Sequence, residues 1–124
     1  MNKIIADTNS LLAPFKHKFN IDAQLGEIFG SYEIIVPKPI IGELEKMAET
    51  NTHARGALKL AKSRGVEGTK STGDDSVLEL ARKHGAFILT NDKELIARAK
   101  KEKIKILLVK ENGRLAPEQD WMLV

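Results

Sequence analysis

Apolar residues along this chain follow two alternating rhythms. Ile4-Ile5-Ala6, Tyr32 to Val36, Phe87-Ile88-Leu89 and Ile104 to Val109 are short, nearly continuous apolar runs. That is the pattern of strands buried on both faces of a parallel sheet. Between them, apolar positions recur every three or four residues. The stripes Ile40-Ile41-Leu44-Met47-Ala48, Ala54-Ala57-Leu58-Ala61 and Val77-Leu78-Ala81-His84 predict amphipathic helices. Two more helices are expected over Ala23 to Phe29 and Leu95 to Ala99.

The punctuation residues set the limits. Asp22 is expected to cap the helix that Gly30 ends, and Pro39 suits a first helical position because its missing N–H has no partner there. Asn51-Thr52 separates the next two helices. Gly65 and Gly85 stop the helices before them. Ser10 to Ala13 reads as a short helical turn broken before Pro14, with Phe15 to Phe19 a loop. Val66 to Gly73 reads as a polar surface loop and Glu111-Asn112-Gly113 as a turn. The tail from Trp121 to Val124 is apolar enough to dock back on the body, with no readable conformation. Strands alternating with helices predict an α/β protein with a mainly parallel sheet. Its 124 residues suit one domain over 1–124.

Composition narrows the chemistry. There is no cysteine, so disulfides and thiolate metal sites are excluded. No apolar run approaches the roughly 20 residues that span a bilayer, and Asp7 interrupts any signal-peptide pattern. A cytoplasmic protein without a membrane partner is the default. The net charge of +3 is compatible with a polyanionic partner and is equally explained by solubilising lysines.

Candidate chemistry lies in acids that end apolar runs. Asp7 follows Ile4-Ile5-Ala6, and Asp92 follows Phe87-Ile88-Leu89-Thr90-Asn91. Either alone could simply cap a helix. Two on one sheet edge repel each other by roughly 3 kcal/mol at ~5 Å and an effective dielectric near 20, a cost a cation removes. Open α/β sheets place ligands at that edge. Asp74 falls about 20° from the middle of its helix's apolar stripe and Asp75 roughly 120° away, at 100° per residue. Asp74 is thus the better site candidate, with Asp75 a cap or an outer acid. Glu43 and Glu45 each sit about 100° off their helix's stripe, so spacing does not choose between them. His17, His53 and His84 form no ligand pattern. Gly68-Thr69-Lys70-Ser71 fails as a phosphate loop, because Thr69 stands where glycine is needed.

Together, Ile4-Ile5-Ala6-Asp7-Thr8-Asn9, Val36-Pro37 with Ile40-Ile41-Gly42-Glu43-Leu44, Gly73 to Ala81, and Phe87 to Leu95 resemble the PIN-domain family of metal-dependent ribonucleases. Within it, Gly73-Asp74-Asp75 and Thr90 to Leu95 resemble the stand-alone archaeal-type proteins of the rRNA-processing branch. The toxin branch of toxin–antitoxin pairs stays open. The resemblance implies a single PIN-like domain: a twisted, mainly parallel sheet of four or five strands with helices on both faces. It implies Asp7, Glu43, Asp74 and Asp92 as catalytic and metal-binding acids, choosing Glu43 over Glu45. Thr8, Asn9 and Thr90 follow as polar neighbours.

The expected function is endonucleolytic hydrolysis of RNA, with Mg²⁺ or Mn²⁺ favoured by an oxygen-only ligand set. Lys16, Lys18, Lys38, Lys70 and Lys93 are the candidate RNA-binding cations. Phe15, Phe19 and Tyr32 could stack bases, although core packing is the more ordinary use. The partners implied are RNA, a second copy of the chain, and an RNA-processing complex or an antitoxin. Two other classes compete. A phosphoacceptor domain would show an acidic pair near the first strand, where Asp7 stands alone. A PIN-like module that binds RNA or protein with little turnover would keep the acids without the cleavage.

Overall fold

The apolar runs become the centre of a sheet. In the computed structural model, which describes residues 1–118, β1 (Asn2–Ala6) lies between β2 (Tyr32–Pro37) and β4 (Phe87–Leu89), parallel to both. Ile4 pairs with Ile34 on one side and Phe87 on the other. Ile4, Ile5, Ala6, Ile88 and Leu89 are fully buried. Strands covered on both faces have no polar side to show, which is why they read as unbroken runs. β3 (Gly65–Glu67) and β5 (Ile106–Val109) extend the parallel sheet outward, and β6 (Leu115–Pro117) closes it antiparallel to β5. Among the described residues the order is β3-β2-β1-β4-β5-β6.

Among the described residues six helices connect the strands: α1 (Thr8–Lys16), α2 (Ile21–Phe29), α3 (Lys38–Ala48), α4 (Thr52–Lys62), α5 (Gly73–His84) and α6 (Lys93–Lys101). Progress from β1 to β2 to β3 runs one way across the sheet, and β4 to β5 runs the other. Right-handed crossovers therefore put α1 to α4 on one face and α5 and α6 on the opposite face. The reversal falls between β1 and β4, and the crevice at such a switch point is where ligands settle in open α/β sheets. Asp7 and the Thr90-Asn91-Asp92 turn leave the sheet at that crevice. No helix among the described residues is long and apolar enough to cross a membrane.

The expected α/β class and layering hold, with six strands where four or five were expected. β3 and β6 are three-residue edge strands, too short for a hydrophobic rhythm; Val66, the apolar centre of β3, is exposed. Of the polar loop expected over Val66 to Gly73, Val66 and Glu67 are thus strand, held by backbone pairing to β2, and Gly68 to Thr72 are loop. Ile104 precedes β5, which begins at Ile106.

Pro14 does not stop α1. The helix carries it and runs to Lys16, with Leu11, Leu12, Ala13 and Pro14 buried. One intrahelical bond is lost at Pro14, while burial and an Asp7 cap hold the turn. The Phe15 ring packs so closely on Gly56 of α4 that a Cβ there would lie 2.7 Å from it. Asn20, not Asp22, caps α2 through a bond from the Ala23 N–H. The apolar tail at Trp121 to Val124 lies outside the described residues.

Candidate active site

Asp7 is the buried acid among the described residues. Its Oδ1 accepts the Ser10 N–H at 2.9 Å, so it does cap α1, and its Oδ2 accepts the Thr90 hydroxyl. Thr90 is itself fully buried and also accepts the Asp92 N–H at 3.0 Å. One hydroxyl thereby ties the acid after β1 to the acid after β4. Asp92 repeats the capping arrangement at α6, where its Oδ1 accepts the Leu95 N–H at 3.0 Å. Capping and site-building are compatible at both positions, because each carboxylate caps with one oxygen.

Two residues not anticipated as site members fix this geometry. Ser10 donates its hydroxyl to the Leu89 carbonyl at 2.8 Å, which pins the start of α1 to the end of β4. Asn91 donates Nδ2 to the Val109 carbonyl at 2.7 Å and accepts the Val109 N–H at 2.8 Å, like an added strand residue. The Asn91 amide locks the turn that carries Asp92 onto β5. The sequence signal for Ser10 was its place three residues after a capping acid. The Asn91 partner lies 18 residues away, where no local pattern reveals it.

Asp74 and Asp75 part company in the first turn of α5. Asp75 is exposed and pairs with Arg98 of α6. Asp74 is half-buried and faces the site. Burial pushes its carboxyl above the ordinary value, and the charges of Asp92 and Asp7 push it further, with Arg98 opposing. Asp7 is raised too, first by burial and in small part by Asp92, against the hydrogen bonds from Thr90 and Ser10. Three carboxylates from β1, α5 and the β4–α6 turn thus share one field.

Glu43 stands on exposed α3 surface, joined to the cluster by the Thr8 hydroxyl at 3.1 Å. Glu45 points elsewhere, 3.8 Å from Lys62 of α4. Asn9 is exposed beside Asp7. Lys38 and Lys93 stand on the first residues of α3 and α6, and Lys70 on the loop before α5, all exposed. Lys16 is the last residue of α1 rather than a loop residue, and Lys18 follows the helix end at φ 54°. Phe15 packs on Gly56, Phe19 packs on Gly113, and the Tyr32 hydroxyl lies 2.5 Å from Asp22 Oδ1. All three aromatics serve the body of the fold.

The donor set fits a hard divalent cation. It is oxygen-only, and its charge repulsion is offset in part by Arg98, itself bound to Asp75. Among the described residues, no three His, Asp or Glu side chains converge tightly enough to enclose an ion on their own.

Comparisons with known proteins bear on the family and the fold. A family model described as PIN like domain matches residues 4–112. The chain belongs to the PIN-domain family. A protein named Ribonuclease VapC9 from Archaeoglobus fulgidus is 36% identical over 119 residues, covering 92% of this chain and 87% of the relative. Ribonuclease VapC4 from Methanocaldococcus jannaschii is 30% identical over 122 residues, covering 90% and 92%. The solved structure of the PIN domain endonuclease Utp24 superposes with a TM-score of 0.78 at 25% identity, covering 94% of this chain and 90% of that one. These relatives support a nuclease activity for this PIN protein.

Proposed function

We infer that this PIN protein is a divalent-metal-dependent endoribonuclease that hydrolyses phosphodiester bonds in single-stranded RNA. The observation that carries the reading is the field at the switch point. Asp7 is buried, is held by Thr90 and Ser10, and shares its charge with Asp74 and Asp92. A protein that only needed helix caps would leave those acids apart or match them with cations. The names of the two ribonuclease relatives and of the Utp24 endonuclease support the same chemistry.

Asp7, Asp74 and Asp92 are the residues that would hold Mg²⁺ or Mn²⁺, with Glu43 reaching it directly or through water. A loose carboxylate set suits an ion that keeps part of its hydration, as Mg²⁺ does. Bound there, the cation would lower the pKa of an attached water and stabilise charge on the leaving oxygen. The protein's own part is positioning. Thr90 fixes the Asp7 carboxylate, Asn91 fixes the turn bearing Asp92, and Thr8 orients Glu43. Asn9, exposed next to Asp7, orients water or a phosphate oxygen.

The test is cleavage of end-labelled single-stranded RNA with Mg²⁺, with Mn²⁺ and with excess EDTA. Internal cuts that require the metal and disappear in Asp7→Asn are expected. Full cleavage in EDTA rejects the mechanism, and metal binding without cleavage by the parent makes the protein a binding module. Running a ribosomal precursor fragment beside an unstructured messenger-like RNA separates the processing and toxin-type uses, since the cut pattern then differs between substrates.

A further inference from the structure

A cleft opens from the acid edge and runs along α1. Asn9 and Ser10, which follow Asp7, and Asn91, which precedes Asp92, form its near end. Ala13 and Val109 form an apolar wall, and Lys16, His17 and Lys110 stand at the far end. The cleft has a volume of about 320 Å³, within the roughly 300–1,000 Å³ that hold small ligands. From Asn9 to Lys16 the helix advances two turns, roughly 10 Å.

Several cations elsewhere on the protein are committed to acids. Arg64, Lys83 and Arg98 are paired with Asp22, Glu67 and Asp75. The side chains of Lys16, His17 and Lys110 have no hydrogen-bond or ion-pair partner among the described residues. Glu111 at the rim is the opposing charge. A polyanion whose scissile phosphate sat at the acids would meet, two helical turns along α1, two uncommitted ammonium groups. Between them lie an apolar wall and an imidazole ring, which together offer stacking surface.

We propose that this cleft binds the nucleotide next to the scissile phosphate of a single-stranded RNA. Lys16 and Lys110 hold its outer phosphate, and His17 with Val109 and Ala13 supports its base. The proposal rests on the endoribonuclease reading for the position of the scissile phosphate. The cleft's volume of about 320 Å³ suits one nucleotide of a single strand.

The test uses two probes, a fluorescein-labelled oligouridylate and the dinucleotide UpU, which is too short to fill both the acid edge and the far end. Binding is measured by anisotropy in an Asp7→Asn background, so that cleavage does not intervene. Adding Lys16→Glu and Lys110→Glu is expected to weaken oligouridylate binding about tenfold or more. It should also remove roughly 0.7 from the slope of log affinity against log salt, for one lost phosphate contact on a single strand. His17→Ala is expected to weaken binding about fivefold or more with the slope unchanged, the mark of stacking.

In the cleaving parent background, Lys16→Glu/Lys110→Glu should raise KM for the oligouridylate about tenfold or more, with a smaller loss on UpU. Unchanged affinity and salt slope overturn the proposal. An equal loss on UpU and oligouridylate overturns it as well, because the lysines would then act at the acid edge. A shift in sedimentation with RNA affinity unchanged puts a second copy in the cleft and also overturns it. If the parent cleaves no RNA, the endoribonuclease reading fails and the anisotropy arm alone decides whether the cleft holds a strand.

Discussion

Acids at the switch point and acids elsewhere on this protein live in opposite surroundings. Asp22 is gripped by the Arg64 guanidinium at 2.8 and 2.5 Å and lies 2.5 Å from the Tyr32 hydroxyl, and its carboxyl is held below the usual range, chiefly by Arg64. Glu67 is lowered by Lys83 first and His84 next, Glu102 by Arg82, and Glu79 by the Ser71 hydroxyl and nearby backbone N–H groups. Asp7 and Asp74 move the other way, raised first by burial and then by neighbouring acids, Asp92 for Asp7 and Asp92 with Asp7 for Asp74. The fold matches Asp22, Glu67, Glu79 and Glu102 with donors or cations, yet gathers two raised acids at an edge suited to ligands. Groups kept in a charge state the fold disfavours are candidates for function, because stability alone would not keep them.

The largest expected break in that comparison is Asp7→Asn. Cleavage should fall by about a hundredfold or more, as for loss of a group that holds a metal. In EDTA the variant should nevertheless unfold at a higher temperature than the parent. The neutral amide can still accept the Ser10 N–H, and it removes a buried charge that Asp92 repels. Circular dichroism melts of both proteins in EDTA decide it. A lower melting temperature for the variant would class Asp7 with Asp22, as an acid the fold depends on.

Metal addition comes next in size. At a Mn²⁺ concentration about a hundred times its Kd, mass action stabilises the parent by ~2.7 kcal/mol. For a domain of this size that is a rise of roughly 10 °C in melting temperature. The rise should vanish in Asp7→Asn and persist in Asp22→Ala. An equal rise in all three proteins would show an ion bound away from the switch point.

The halves of this comparison were unequally legible in the sequence. Asp7 and Asp92 announced themselves because the first directly follows an apolar run and the second closes the short polar turn after another, and a strand's end is a local event. Asp74 over Asp75 followed from helical phase, and burial follows the same order. The matched acids were not readable: Asp22 meets Arg64 across 42 residues, and Asp75 meets Arg98 across 23. Asp22 looked like a cap because its type suits one, and Asn20 holds that place. The same limit hid β6 and the Asn91–Val109 lock, since both rest on backbone groups that every residue carries. Pro14 misled for a different reason: a helix interior tolerates proline when the turns around it are buried.

Asp22→Ala should cost about 1–2 kcal/mol at neutral pH, from the lost charge-assisted bonds and from leaving Arg64 half-buried without its partner. The pair is partly solvated, so solvent screening keeps the effect at that scale. The pH dependence has a definite sign. A carboxyl whose folded value is lowered stabilises the fold above its unfolded value, near 3.8, and the contribution is lost as pH falls through the lowered folded value. Denaturant midpoints of parent and variant should therefore differ at pH 7 and converge in acid below that value. A gap that widens on acidification would refute the assignment to Asp22.

The smallest effect gives the sharpest contrast, because it compares adjacent residues. Asp74→Asn should lower cleavage about as much as Asp7→Asn, whereas Asp75→Asn should keep it within about threefold. The Asp75–Arg98 pair has side chains 60% and 41% exposed, so solvent screening leaves its loss with little effect on stability. Yet Asp75→Asn has a specific consequence. It frees Arg98, whose charge already acts on Asp74, to turn fully toward that carboxylate. Competition between the guanidinium and a divalent ion should then weaken Mn²⁺ binding by about threefold, an amount consistent with a solvated ion pair. Calorimetric titration of Mn²⁺ reads this directly, and Asp75→Asn combined with Arg98→Gln should restore the parent affinity. If the double variant binds Mn²⁺ no better than Asp75→Asn alone, Asp75 contacts the ion itself and the division of labour within the Asp74-Asp75 pair is wrong.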